Sequence, residues 1–132
     1  MLALTQGLMS LGALAPFPVI LSITPSGFDP ATTSHPASYP ASVAAGDLLL
    51  YMVTARAASG NADVTTPIGL TLLEQRDSGG QSTTPVSLYS RIADGSEGGT
   101  TVDFVTNINT FMAVQIWRIE AGTYGAVEFA WN

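Results

Sequence analysis

Residues 86–93 constrain this chain more than any other stretch. Val86, Leu88 and Ile92, with Ser90 among them, fall on one side of an alternating pattern; Ser87, Tyr89, Arg91 and Ala93 fall on the other. Successive side chains of a strand point to opposite faces, so this period of two predicts a half-buried strand. Asp94-Gly95 then stops it, because Gly accepts positive φ and Asp hydrogen-bonds its own turn. Ser96-Glu97-Gly98-Gly99 continues the loop, and Thr101-Val102-Asp103-Phe104-Val105-Thr106 begins another strand. A strand–turn–strand unit of this kind belongs to an antiparallel β-domain.

The rest of the chain extends the pattern. Residues 17–24 read as a strand with Phe17, Val19, Leu21 and Ile23 on one face, and Pro18 suits its start or a sheet edge, where no ladder donor is needed. Residues 48–55 and 111–119 are apolar on both faces, as in central strands covered on both sides. In the second of these, Phe111, Ala113, Trp117 and Ile119 share one face and Met112, Val114 and Ile116 the other; Trp117 is expected as a core anchor. Residues 70–76 and 127–131 complete the set of strands. Residues 56–67 and 77–85 read as loops and 107–110 as a short turn. Residues 26–45 carry Pro30, Pro36 and Pro40, which forbid a regular helix. They read as a long loop with a short edge strand at 38–43 anchored by Tyr39. Seven or eight strands without a long helix predict an all-β fold, a single antiparallel β-sandwich of jelly-roll or Ig-like order spanning residues 16–132.

Residues 1–15 stand apart as an expected N-terminal arm. They contain no charge, and Leu4, Leu8 and Leu11 fall at helical spacing, but Gly7 and Gly12 weaken any helix. Ala13-Leu14-Ala15 has the form of a signal-peptidase site without the preceding Lys or Arg that such a leader carries. Pro16 and Pro18 interrupt the stretch well short of the about 20 residues a membrane span needs. The arm is expected to lie along its own domain or a neighbouring subunit. Composition points to the neighbour. Charged residues make up 11% of the 132, against about 25% in ordinary globular chains. Soluble monomers use charge to keep their surfaces from sticking, so this chain is expected to bury surface against partners and to form a homo-oligomer. Leu4, Leu8, Leu11 and Leu14 of the arm, with Phe28 and Tyr39 of the long loop, are the candidate contact residues.

Little in the sequence points to chemistry. There is no Cys, hence no disulfide or thiolate metal site. Four Arg and no Lys stand against ten acids, a formal charge of −6, which argues against nucleic acid and against an anionic membrane surface as partners. The only histidine, His35, lies between Ser34 and Pro36 with no Gly-x-Ser-x-Gly elbow in the chain, and reads as an exposed loop residue rather than a triad base. Asp94 and Glu97 supply fewer oxygens than the six or so that Ca²⁺ gathers, so their loop reads as a solvated turn. No Gly-rich phosphate loop with Lys exists. Neither enzymatic activity nor a cofactor is expected.

Four segments nevertheless carry a resemblance. Ala45-Gly46-Asp47-Leu48-Leu49-Leu50, Ile68-Gly69-Leu70-Thr71-Leu72-Leu73, Leu88-Tyr89-Ser90-Arg91-Ile92-Ala93-Asp94-Gly95-Ser96-Glu97-Gly98 and Ala113-Val114-Gln115-Ile116-Trp117-Arg118-Ile119 follow one another in that order. The series, over residues 38–122, resembles small β-sandwich proteins encoded in the structural gene clusters of tailed bacteriophages. Leu70 stands where the family's turn has Trp. The resemblance implies a virion protein: a capsid decoration (cement) protein on the outer capsid surface, binding the major capsid protein and copies of itself. The alternative it implies is a tail or fibre module that binds a host surface glycan. It implies no catalytic residues.

Overall fold

In the computed structural model, which describes residues 17–27, 31–57, 59–77 and 82–125, the fold is organised along one long strand. The elements are β1 (Ile20–Ser26), β2 (Thr32–Ser38), β3 (Leu48–Ala57), β4 (Gly60–Asn61), β5 (Val64–Thr65), β6 (Thr71–Arg76), β7 (Ser82–Thr83), β8 (Val86–Ile92) and β9 (Thr101–Ile119), and the described residues contain no helix. Seven strands form one antiparallel sheet in the order β1-β9-β3-β8-β6, with β2 and β5 joined to the first half of β9. Along one edge β9 pairs β2 through residues 101–110 and β1 through residues 114–119; along the other it pairs β5 at Val105 and Thr106 and β3 from Thr110 to Ile119. The remaining strands, β4 and β7, make a short parallel pair in the expected loops.

β9 cannot be straight. Its 19 residues would span about 60 Å at about 3.3 Å each, placing Phe104 about 40 Å from Ile116. Yet the Phe104 ring lies 6.2 Å from that of Tyr51, the residue opposite Ile116, and 5.7 Å from that of Tyr89. The register shows where the strand bends. Thr32 faces Thr110 and Ser34 faces Val105, so Thr33 alone stands against residues 106–109. Surplus residues on one strand bend it. The first half of β9, with β2 and β5, therefore folds over the β3–β8 region. Hydrogen bonding gives one folded sheet where the sequence suggested two stacked ones.

The expected turn at 107–110 is not a chain reversal. Asn107 has turn chemistry, but its side chain accepts the Asp63 N–H at 2.9 Å and its own N–H donates to the Asp63 carbonyl at 3.2 Å, so a neighbouring loop satisfies it within the strand. The long loop 26–45 is likewise partly strand: β2 occupies residues 32–38 rather than 38–43. Pro36 is accommodated because β2 pairs only with β9, leaving the side where proline lacks a donor free of a ladder. The arm 1–15 with Leu4, Leu8, Leu11 and Leu14, the loop residue Phe28 and the strand expected at 127–131 lie outside the described residues.

The core fills the space inside the fold-over. Leu49, Tyr51, Val53, Ala55 and Ala57 of β3 face inward with Met112, Val114 and Ile116 of β9, and Phe104, Val102 and Ala37 close over them. Each fully buried large side chain contributes about 1.5–3 kcal/mol of transfer free energy. Tyr51 is fully buried and donates its hydroxyl to Tyr39 at 3.1 Å. Burial, reinforced by Tyr39, pushes that hydroxyl's pKa far above the usual tyrosine value, so it remains a donor.

Candidate interaction face

Strand β3 and the second half of β9 are largely apolar on both faces, but the core lies on only one; on the other, the described residues bury Leu48 and Ile119 at one end and leave much of the rest exposed. The odd residues of β3 from Leu49 to Ala57 and the even residues of β9 from Met112 to Ile116 enter the core. Their alternates form the opposite, outer face. Cross-strand register assembles it in rows. Ile23 of β1 stands beside Trp117 of β9, which stands beside Leu50 of β3. In the next row Gln115, Met52 and Leu88 are neighbours, and Ile92 lies opposite Leu48. Ile23 is 49% exposed, Met52 41% and Ile92 56%. An antiparallel sheet with one face in water normally turns polar side chains outward. Here the rows are aliphatic, aromatic or uncharged. Charges stand only at the margins, as Arg56 opposite Phe111 and as the Glu74–Arg76 ion pair of β6 at 2.8 Å.

One residue expected in the core lies on this face. Trp117 is not a core anchor: it lies half-buried on the outer face, with its indole N–H donating to Gln115 Oε1 at 3.4 Å. The pairing of Phe111, Ala113 and Trp117 against Met112, Val114 and Ile116 holds, and it is the second set that enters the core. In β8 the aliphatic set Val86, Leu88 and Ile92 faces outward while Ser87 and Tyr89 are buried. Alternation separates the faces without saying which one the fold-over will cover.

At the end of the sheet where β3 starts and β8 stops, the carboxylates are structural. Glu97 is buried and accepts the N–H groups of Asp94 (3.1 Å) and Gly95 (3.0 Å), with Arg91 Nη2 at 3.0 Å. Asp94 accepts from Ser96 through both its N–H and its hydroxyl, and from Arg91. Those hydrogen bonds from Ser96, helped by Arg91, hold the Asp94 carboxyl below its ordinary pKa. These donors occupy oxygens that a cation would need, and the described residues contain no cluster of three or more His, Asp or Glu suited to a metal. The loop also packs closely on residues 40–46: a Cβ at Gly98 would stand 3.1 Å from the Ala41 carbonyl and 3.2 Å from Val43 N. Tyr39, expected as a contact residue, is 6% exposed, and its ring packs edge-on against Tyr51 in the core.

His35 is buried, not an exposed loop residue. Its Nε2 lies 3.0 Å from Thr110 Oγ1, which is 3.3 Å from Thr106 Oγ1. Ser34 donates to both carboxylate oxygens of Asp103 at 2.9 Å, but these two are exposed on the other side of β2 and β9. Alternation thus keeps His35 apart from the nearest Ser–Asp pair. The surface depressions are shallow and open; one of about 440 Å³ is lined by Thr33, Ser59, Asn107, Ile108 and Asn109, and another of about 200 Å³ lies on the outer face at Met52, Thr54, Ala113 and Gln115. No helix among the described residues is long and apolar enough to cross a membrane. In comparisons with known proteins, no family model, no curated protein and no solved structure matches this chain.

Proposed function

We propose that this chain is a structural protein of a tailed-phage virion, a decoration (cement) protein seated on the outer capsid surface. The observation that carries this reading is the outer face of the sheet, which the described residues leave largely uncovered, with charge only at its margins and large apolar side chains between, in a chain with few charged residues. Contiguous apolar surface of this kind marks association. The resemblance of residues 38–122 to phage structural proteins supplies the kind of partner: the major capsid protein and neighbouring copies of this chain. Residues 1–15 reach across to neighbours while the folded domain provides the rigid body. The mechanism is mass action. A protein that binds only the assembled shell stabilises it by its binding free energy, and a specific contact buries on the order of 1,000 Å² or more per copy.

Immunogold labelling of intact particles with an antibody to this chain tests the assignment. Label spread over the heads is expected. Label confined to the tail would instead favour a glycan-binding tail module, for which Trp117 and Phe111 offer aromatic surface. Absence of label from every particle would remove the virion reading. A chain lacking residues 1–15 should keep its far-UV circular dichroism and lose shell binding.

A further inference from the structure

We infer that the outer face of one copy is the seat for residues 1–16 of a second copy, so that the chain self-associates by exchanging arms. This rests on the reading above of residues 1–15 as a segment that reaches neighbours, and it names what receives them.

Three features support the match. The first is chemical. Residues 1–16 contain no charged side chain and carry five Leu and two Met; across β1, β9, β3 and β8 the rows through Trp117 and Leu50 and through Met52 and Leu88 contain no charged side chain either, the first charge being Glu74 of edge strand β6, opposite Leu88 and paired with Arg76. Each surface lacks the groups that water would hold most strongly, so apposing them leaves no ion unpaired. The second is reach. Sixteen extended residues span at most about 55 Å. The four strands β1, β9, β3 and β8 lie about 4.8 Å apart, so the face is about 15 Å across, and β3 with ten residues is about 33 Å long. The segment is long enough to leave its own domain and still cross a neighbour's face.

The third feature is direction, and it selects the neighbour over the chain's own face. Residues 1–16 join the domain at Phe17, just before edge strand β1, at the end of the sheet where Val19 bonds Thr123 and Glu120. To lie on its own sheet the segment must reverse direction there. Phe17 and Ala15 each precede a proline, which biases both away from the helical region and toward extended conformations. Pro16 and Pro18 themselves have fixed φ. An Ala-Pro-Phe-Pro run therefore favours a straight exit, and Phe17, 88% exposed, makes almost no contact with its own domain. Tethering favours a chain's own segment wherever geometry permits, and here the exit works against that return.

The native chain has no cysteine, which makes the test direct. A tagged Met52→Cys variant is mixed with an untagged Leu8→Cys variant and mildly oxidised. The expected product is a mixed disulfide dimer, formed at least ten-fold more than with an Asp63→Cys control, whose cysteine lies on an exposed loop off the face. Ile92→Cys serves as a second position on the face if Met52→Cys folds poorly. Light scattering on the unmodified full chain should give at least twice the mass of one chain, and deletion of residues 1–16 should return it to one chain with an unchanged circular dichroism spectrum. Three results would overturn the inference: a single-chain mass for the full protein, a Leu8→Cys/Met52→Cys double variant that closes only within one chain, or a deletion variant that associates as before. All of this is read on purified protein. Exchange without particle labelling sinks the virion reading alone, and labelled heads with a monomeric chain sink the exchange alone.

Discussion

The carboxylate of Asp47 is 2% exposed and accepts hydrogen bonds from the Ala44 N–H at 2.9 Å, the Ala121 N–H at 3.2 Å and the Arg118 guanidinium. Burial alone would raise its pKa; the bonds from Ala44, Arg118 and Ala121 outweigh that and hold it below the ordinary carboxylate value. A carboxyl depressed in the folded state contributes stability that is complete above its unfolded pKa of about 3.9 and is lost as pH falls through the folded value. Urea midpoints should therefore hold level from pH 8 to pH 5 and fall below about pH 4. At pH 7 Asp47→Asn should cost about 3 kcal/mol, because it leaves Arg118 without its partner in a mostly buried site. The same variant should lose less stability on acidification than the parent does. Equal midpoints for variant and parent at pH 7 would remove this role from Asp47.

At the scale of elements, β9 is hydrogen-bonded along both edges through Val114, which lies between Ser26 of β1 and Val53 of β3. Proline there removes a ladder donor from a central strand, so Val114→Pro should abolish cooperative thermal unfolding, whereas edge strand β2 carries Pro36 natively. A cooperative melt in the variant would show that β9 is not the spine. The sequence made some of these elements plain and concealed others. β3 and β8 could be read because their signals are local: a continuous apolar run opening Leu48–Ala57 and period-two alternation at Val86–Ile92. β2 and the continuity of β9 could not, because Pro36, Asn107 and Asn109 have the chemistry of loops, and what holds them in strands is pairing with distant residues. The burial of His35 and the outward placement of Trp117 were hidden for a related reason. Both depend on which side the fold-over at residues 106–109 closes, and no local pattern records that choice. The candidate face was therefore half legible: its residues were recognisable as apolar, its exposure was not.

For the whole molecule, charge is scarce and mostly acidic, with a pI of about 4.2. With so little charge to oppose contact between outer faces, solubility should fall steeply where net charge vanishes. Turbidity of the purified chain is expected to peak near pH 4 and to clear by pH 7; a peak well above pH 5 would mean that something other than charge neutralisation drives precipitation. The sharing of β9 by four other strands also has a consequence in time. β1, β2, β3 and β5 all pair with it, and Val19 meets Thr123 across 104 positions of sequence. At about 5–20 residues per second, a ribosome needs about 5–20 s to cover that distance. Throughout that interval the nascent chain carries β1 and β2 with no strand to receive them, leaving Ile20, Leu21 and Ile23 open to any other unpaired edge nearby. For this protein the hazardous period is translation, and its safe yield in a cell should depend on whatever shields β1 and β2 until β9 emerges.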